Sequence, residues 1–198
     1  MKPFSALIAA GVFSLAAAPA LSAEVTIGMQ LEPPALDPTS GAAAAIDEIV
    51  YSNVFEGLVK FAEDGSVVPG LAESWEVQEF GLIYDFNLRK GVKFHDGTDF
   101  TAEDAKFSID RIAADDSANA QKALYASILQ TEVIDEHTFR IVLTQPTGAF
   151  LFNLAWGDAV MVAPESAGDN ANNPVGTGPF RFSRWAKGDS VELVKNPD

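Results

Sequence analysis

The amino-acid sequence predicts a protein of mixed α/β class, because helix-spaced and strand-spaced apolar residues alternate along it. Within residues 42–54, apolar side chains fall on one stripe at helical spacing, among them Ile46, Ile49 and Val50. Within residues 84–88, apolar and polar side chains alternate, as in a half-buried strand. At 198 residues, the chain has room for one ordinary domain.

The first 23 residues are typical of a secretory signal peptide. Lys2 precedes an apolar run at residues 6–18, Pro19 interrupts that run, and Ser22 and Ala23 provide small residues for cleavage. The run is shorter than the roughly 20 apolar residues that a membrane-spanning helix needs. We therefore expect an exported protein, most simply in a Gram-negative periplasm, that begins at residue 23 or 24 after cleavage.

The composition excludes several classes of site. The sequence contains no cysteine, which removes lipidated cysteine, disulfides, thiol catalysis and thiolate metal sites. The formal net charge is −15 at pH 7, and such a surface repels polyphosphate, so we expect no nucleic-acid partner. The acidic residues are scattered rather than grouped into a tail, which indicates a well-solvated surface and leaves the ligand open.

Short elements separated by proline and glycine make up the N-terminal region. Residues 24–29 have the pattern of a short apolar strand, and the proline-rich residues 31–41 form an extended loop. The helix predicted at 42–54 follows, then a strand around 58–61. Asp64-Gly65 marks the turn after that strand.

The stretch GVKFHDGTDFTAEDA at residues 91–105 contains one histidine and four acidic residues. Residues 95–98 have the composition of an Asp-Gly turn. Thr101, followed three residues later by Asp104, has the spacing of a capping box, and Glu103 adds negative charge at the positive end of the helix dipole. The pattern therefore predicts a turn and a capped helix rather than a metal or acid–base site.

The rest of the chain continues the alternation. The helix after the cap should bury Ala105, Ile109 and Ile112. The remaining predicted elements are a turn at 89–91, a strand at 92–94, a helix at 118–129, strands within 131–143 joined by a turn at 135–137, a helix at 148–155, a strand at 159–164, a glycine-rich loop at 173–180 and a hairpin turning at 187–189. The glycine-rich loop is not a phosphate-binding loop, because no Gly-Lys-Ser/Thr follows it.

Five stretches together resemble one family in the same order along the chain. They are LDP (36–38), NVFEGLV (53–59), PGLAESWEV (69–77), YDFNLRKGVKFHDGTDFTAEDAKFS (84–108) and NPVGTGPF (173–180). The chain resembles the extracellular solute-binding proteins of peptide/nickel ABC importers, the oligopeptide- and dipeptide-binding group. One local departure is Glu79-Phe80-Gly81, where that family commonly has an Asp-Gly turn, and we expect a reshaped hairpin there.

The resemblance implies an α/β lobe of the periplasmic-binding-protein type, with a mixed sheet and a small inserted α+β subdomain. The lobe would begin with residues 24–55 and continue with residues 162–198, and residues 56–161 would form the insert. Family members are much longer and close two lobes over the ligand. We therefore expect this sequence to correspond to their N-terminal portion, without the second lobe, and to bind ligand weakly by itself.

The resemblance also implies a function and a site. The protein would be the periplasmic receptor that captures peptides and delivers them to an ABC permease and ATPase at the inner membrane, with no cofactor, and monomeric when full length. The segment Gly41, Ala42, Ala43 and Ala44 matches the part of the family that lines the ligand cleft, although alanines also begin ordinary helices. Tyr125 matches a tyrosine placed against the ligand, although a buried core aromatic is the more ordinary interpretation.

Two alternatives remain open from the sequence. The cargo could be an opine, an oligosaccharide, glutathione or a nickel chelate, since the lobe that selects it is expected to be missing. The chain could instead be a metal-dependent hydrolase that uses His95, Asp96 and Asp99. The absence of HExxH-like spacing and of Gly-x-Ser-x-Gly argues against hydrolysis, and we expect His95→Ala to be mild beside Thr101→Ala.

Overall fold

The structure, a computed structural model, describes residues 23–197. Residues 1–22, which hold nearly all of the predicted signal peptide, lie outside the described residues. The strand predicted at 24–29 is wrong, because these residues carry no regular structure and Val25 is 79% exposed. A strand needs a neighbour for its backbone N–H and C=O groups, and an apolar alternation alone does not supply one.

Residues 31–197 contain short helices and antiparallel strands. In chain order the helices and strands are α1 (Ala44–Val50), β1 (Val59–Phe61), β2 (Val67–Pro69), β3 (Ala72–Gln78), β4 (Ile83–Leu88), α2 (Ala102–Ala113), β5 (Ile128–Asp135), β6 (Thr138–Leu143), α3 (Phe150–Leu154), β7 (Phe180–Ala186) and β8 (Ser190–Lys195). Two 3₁₀ turns lie at Lys122–Tyr125 and Gly157–Ala159. Within the described chain, no helix has the length and apolar character that crossing a membrane requires.

The largest sheet has four antiparallel strands in the order β3-β4-β6-β5, and two hairpins pair β1 with β2 and β7 with β8. The strand prediction at residues 84–88 is confirmed, since β4 alternates between buried and half-buried side chains. Phe86 pairs with Phe139 across β4 and β6, and their rings stack at a centroid distance of 6.4 Å. The β5–β6 hairpin and its turn are also confirmed.

Helix α2 begins as predicted. Asp104 Oδ2 accepts a hydrogen bond from the backbone N–H of Thr101 at 2.8 Å, and Thr101 Oγ1 accepts one from Glu103 N–H at 3.3 Å. These bonds pair backbone N–H groups that the first turn of a helix leaves free. The predicted inner face is buried, with Ile109 packed into the core that the sheet provides.

Helix α1 is shorter than the predicted helix at 42–54. It ends at Val50, and Ser52 has a φ of 57°, which lies outside the helical region. The Asn53 side chain donates to the Ile49 carbonyl at 2.9 Å and so pairs one of the last carbonyls of the helix. The predicted stripe is nevertheless confirmed, since Ile49, Val50 and Val54 are buried.

Two predicted elements in the second half are wrong. The helix at 118–129 is only the 3₁₀ turn at Lys122–Tyr125, and β5 begins at Ile128. The Asn119 side chain accepts from Gln121 N–H at 2.8 Å, a local bond that competes with helix formation. The strand at 159–164 is a single bridge between Gly57 and Val160, because a short buried apolar run need not join a sheet.

The hairpin between β3 and β4 is reshaped, as the departure from the family pattern predicts. Glu79, Phe80 and Gly81 have φ angles of 46°, 55° and 94° in succession. Two of these residues carry a Cβ in a region that favours glycine. The phenyl ring of Phe80 is 99% exposed, so packing does not compensate for this conformation.

Two buried apolar clusters hold residues 31–197 together. The larger contains the four-stranded sheet and the inner face of α2. The smaller contains α1 with Leu36 and Val162, and the β7–β8 hairpin packs against it. This division runs close to the predicted limits of the insert at 56–161, but Val160 belongs to the smaller cluster and Ala163 to the larger. The domain boundaries stay a prediction.

Candidate ligand-binding site

The four small residues predicted to line a cleft lead into helix α1. Ala42 and Ala44 are exposed, while Gly41 and Ala43 are half-buried. A Cβ at Gly41 would lie 2.4 Å from Cδ1 of Ile46, so a larger residue there would force the end of this buried side chain to shift. The exposed alanines leave backbone that another molecule can approach, and their contact with ligand stays a prediction.

Tyr125, the other predicted ligand contact, is fully buried in this structure. Its hydroxyl donates to the Asn153 carbonyl at 3.3 Å, and its ring belongs to the larger core cluster. Burial raises the pKa of the Tyr125 hydroxyl well above its usual range, and the nearby carboxylates of Asp158 and Asp47 raise it further. Direct contact with a ligand would need this side chain to become accessible, and it stays a prediction.

Two aspartates lie close enough to act electrostatically on Tyr125, and one of them follows the predicted cleft segment along the chain. Asp47 lies on α1, next to the cleft segment, and Asp158 lies in the 3₁₀ turn at Gly157–Ala159. Burial and the charge of Asp158 raise the pKa of Asp47 from 3.8 to about 6, and burial also raises the pKa of Asp158. Both carboxylates act on Tyr125.

The sequence analysis did not single out these two aspartates. Each interrupts an apolar stretch, Asp47 within AIDEIV and Asp158 within LAWGDAVMV. A carboxylate inside an apolar run is the one local sign of a buried charge, and it does not reveal the partner. Among the described residues, neither carboxylate forms an ion pair.

The structure also has an open groove made of two adjoining hollows of about 340 and 590 Å³. Residues that line both hollows are Glu56, Lys60, Gly70, Thr177 and Asn196. Thr177 Oγ1 donates to Glu56 Oε2 at 2.9 Å, so one wall is fixed by an internal bond. The groove is open to solvent, and polar and apolar atoms line it in about equal shares.

The residues of the hydrolase alternative engage separate partners. Asp96 Oδ1 accepts from the N–H of Thr98 at 3.0 Å, and Asp99 pairs with Lys93 at 2.5 Å. The hydrogen bonds of the His95 ring go to the glycine-rich loop. Within residues 23–197, no group of three or more histidine and acidic side chains has an arrangement that could hold a metal ion.

The contact of His95 with the glycine-rich loop is absent from the sequence-based predictions. The turn at residues 95–98 is confirmed, with Gly97 at a φ of 93°. The His95 ring also reaches Gly176 and Gly178, some eighty residues further along the chain. The HDG turn and the GTG loop are separate motifs in the sequence, and no periodicity connects them.

Comparison with known proteins decides the family. Residues 66–198 match the profile of the bacterial extracellular solute-binding proteins, family 5 Middle. The chain belongs to the family 5 bacterial extracellular solute-binding proteins. The family and the partial periplasmic-binding-protein fold inferred from the five sequence stretches are therefore confirmed.

Several relatives show how much of a family 5 protein the chain matches. The glutathione-binding protein GsiB of Salmonella choleraesuis is 36% identical over 187 residues, which are 92% of this chain and 36% of GsiB. The solved structure of AgaA from A. tumefaciens R10 with agropinic acid is 34% identical, with a TM-score of 0.76, and the match covers 83% of this chain and 34% of AgaA. DppA from Helicobacter pylori, solved with the peptide STSA, is 30% identical, with a TM-score of 0.73 and coverage of 83% and 37%. The chain thus spans about a third of the length of these family 5 relatives.

Proposed function

We propose that this chain belongs to the substrate-binding component of an ABC importer, which captures a small solute outside the inner membrane and passes it to a permease and its ATPase. The observation that carries the proposal is the family 5 match over residues 66–198. Peptide is the cargo we favour, because DppA, 30% identical, was solved with the peptide STSA. GsiB and AgaA, with glutathione and agropinic acid in their descriptions, make those two compounds the alternatives to test.

Capture of a peptide needs no covalent step. An extended main chain is held by strand-like hydrogen bonds, and its side chains enter pockets that set specificity. Closure of two lobes then buries the ligand and forms the surface that a permease recognises. Residues 41–44 would contribute open backbone to this cleft, and the carboxylates of Asp47 and Asp158 would make the region beside it negative.

A binding role also accounts better than hydrolysis for the polar residues of the HDG turn. Asp96 and Asp99 are held by Thr98 and Lys93, and a hydrolytic centre needs such groups to converge on a substrate. We propose a periplasmic location with residues 1–23 as the signal peptide, and the lobe and insert boundaries given above. As a full-length protein it would act as a monomer, without a cofactor.

Calorimetric titration tests the cargo with protein expressed from its natural reading frame. Trialanine, glutathione and agropinic acid are titrated in parallel, and each is recovered afterwards and examined by mass spectrometry. Saturable heat with trialanine, and its recovery unchanged, is the expected result. Saturation by glutathione or agropinic acid alone would retain the receptor class and replace the cargo. Cleaved trialanine, or no binding of any of the three, would contradict the proposal.

A matched pair of variants tests the cleft segment. Ala42→Leu adds a side chain at an exposed position of the predicted cleft, whereas Ala120→Leu adds the same side chain at another exposed position. The first should weaken ligand binding at least about tenfold through lost close approach, and the second should leave it unchanged. Equal affinity for both variants would remove residues 41–44 from the site.

A further inference from the structure

The glycine-rich loop is held by a histidine from a distant turn. Gly176 N–H donates to Nδ1 of His95 at 3.3 Å, and Nε2 of the same ring lies 2.9 Å from the Gly178 carbonyl oxygen. The backbone N–H of His95 donates to the Gly176 carbonyl at 2.8 Å. Three contacts therefore join one residue of the HDG turn to a three-residue segment of the loop.

These contacts require one protonation state of the ring. Nδ1 accepts from Gly176 N–H, so it carries no proton, and Nε2 faces the Gly178 carbonyl, so it must donate. Only the neutral Nε2–H tautomer meets both conditions. In the imidazolium, Nδ1–H would oppose the Gly176 N–H, and two donors in contact repel each other.

The surroundings of the ring favour the neutral form. Burial lowers the pKa of His95, the carbonyl of Gly178 raises it, Arg181 on β7 lowers it and Asp96 beside it raises it, and the net direction is downward. Arg181 and Asp96 are the charged groups that act on the ring from the hairpin and from its own turn. The hydrogen bonds of the ring and its lowered pKa therefore both favour neutral His95.

The other face of the glycine-rich loop packs so closely against the backbone of residues 53–54 that no side chain fits between them. A Cβ at Gly176 would lie 1.9 Å from the Val54 carbonyl oxygen, and a Cβ at Gly178 would lie 2.4 Å from that of Asn53. Gly178 N–H donates to the Val54 carbonyl at 2.9 Å. The loop is thus sandwiched between residues 53–54 and the His95 ring.

The glycine-rich loop also contacts the groove and the β7–β8 hairpin. Thr177 and Gly178 line the open groove, and Thr177 is bonded to Glu56. The Gly178 carbonyl also accepts from Nδ2 of Asn196, which follows β8. Movement of the loop would therefore disturb the groove wall and the base of the β7–β8 hairpin together.

We propose that His95 is a proton-sensitive clasp, which holds the Gly176–Gly178 segment against residues 53–54 while neutral and releases it when protonated. The proton is the ligand of this site, and release of the loop would change the shape of the open groove. The clasp does not rest on the transport role, since it follows from the geometry of the ring and the loop alone. It is complete above the ordinary histidine pKa of 6.5 and is lost as the pH falls through the lowered pKa of the folded chain.

Nuclear magnetic resonance of the His137→Asn variant tests the tautomer directly. His95 and His137 are the two histidines of the chain, so this variant leaves His95 as the single imidazole. Nδ1 of His137 is buried without a hydrogen bond, and the variant keeps the backbone N–H that donates to Asp135 Oδ1 at 2.8 Å in the β5–β6 turn. The ¹⁵N shifts of His95 should show the Nε2–H tautomer at pH 8. An Nδ1–H tautomer there would overturn the proposal.

Hydrogen exchange across the titration tests the release. The protection factor of the Gly176 amide should fall about tenfold as His95 gains a proton, which is the scale of one lost hydrogen bond. The Leu143 amide, bonded to the Leu82 carbonyl at 2.8 Å in the four-stranded sheet, serves as the internal reference and should change much less. Constant protection of Gly176 through the titration would overturn the clasp.

Two substitutions separate the two ring bonds. His95→Asn keeps an acceptor near the position of Nδ1, and His95→Gln keeps a donor near that of Nε2, and neither side chain titrates. Gly176 should stay protected at every pH in H95N and lose protection at every pH in H95Q. A remaining pH step in either variant would place the sensitivity elsewhere in the chain. If neither variant folds, the measurements on H137N decide the question.

Discussion

The carboxylate of Asp47 lies against the α-carbon of Gly157, so that a Cβ on Gly157 would stand 2.6 Å from Oδ1 of Asp47. This contact joins helix α1 to the 3₁₀ turn that carries Asp158. Two carboxylates thus come together beside the predicted cleft segment, and no ion pair among the described residues neutralises either. The arrangement costs stability when both are charged, and it makes the folded chain sensitive to pH.

Asp47→Asn should stabilise the protein at neutral pH. The pKa of Asp47 is raised from 3.8 to about 6, so its contribution to stability is complete below pH 3.8 and is lost as the pH rises through about 6. We expect the variant to exceed the wild type by about 1 kcal/mol at pH 7.5, a value reduced because the carboxylate is only half-buried. The difference should vanish near pH 4. Urea unfolding at several pH values measures it.

The exposed neighbour Glu48 provides the control for that measurement. Glu48→Gln removes the same charge from the same helix without touching Gly157. A gain of equal size in the two variants would show that net charge, and not the contact with the 3₁₀ turn, is responsible.

Gly157→Ala should destabilise the protein through the same contact. The added methyl group would overlap the Asp47 carboxylate, and overpacking of this kind costs about 1–3 kcal/mol. Gly168→Ala is the matched control, because a Cβ there meets no atom within 4 Å. Thermal unfolding of the two variants compares them. Equal unfolding temperatures for the two variants would show that the Asp47 side chain adopts another rotamer, which makes room for the added methyl group.

The aspartate of the LDP motif, Asp37, forms an ion pair in which its own side chain is buried. Asp37 is 2% exposed and lies 2.9 Å from Nη2 of Arg111 on α2, whose side chain is 28% exposed. Removing one partner of a buried pair is costly because it leaves the other charge uncompensated. Arg111→Met should therefore cost about 3–5 kcal/mol, and Asp37→Asn should cost less, because the arginine can reach water. Urea unfolding that ranks the two variants in the opposite order would contradict this explanation.

The sequence predicts local features well because their causes are local. The alternation in β4, the cap at Thr101 and the turn at 95–98 each depend on residues within a few positions of one another. The helix predicted at 118–129 fails because Ile128 instead begins a strand that pairs with β6. That pairing lies outside the window in which helical spacing is read.

The site is less predictable because its contacts are distant in the sequence. Asp37 meets Arg111 across 74 residues, and the ring of His95 meets Gly178 across 83 residues. The expectation that His95→Ala is mild considers only the turn, and the two contacts of the ring with the loop lead us to expect a larger loss. The family resemblance includes both the HDG turn and the glycine-rich loop, but only the fold shows that the two are in contact.

Thr101→Ala should cost stability through loss of the helix cap. The hydroxyl accepts from Glu103 N–H at 3.3 Å, and an N-cap hydroxyl contributes about 0.5–2 kcal/mol. Thr101→Ser keeps the hydroxyl and should keep most of this stability. Urea unfolding compares the two, and ligand affinity should be unchanged in both. Equal destabilisation by alanine and serine would assign the effect to the lost methyl group instead.

Phe80→Gly should stabilise the protein, although it removes a large apolar side chain. Phe80 has a φ of 55°, and a non-glycine residue in this region costs about 1–2 kcal/mol. Its ring is 99% exposed, so the substitution gives up almost no burial. The greater backbone freedom of glycine in the unfolded chain offsets part of the gain, which leaves an expected rise of up to about 1 kcal/mol. Gly65→Ala is the reverse control, since Gly65 has a φ of 80° with open space around it and should lose stability on gaining a Cβ. Urea unfolding measures both changes. A loss of stability in Phe80→Gly would mean that the exposed ring makes a contact in solution that outweighs its backbone cost.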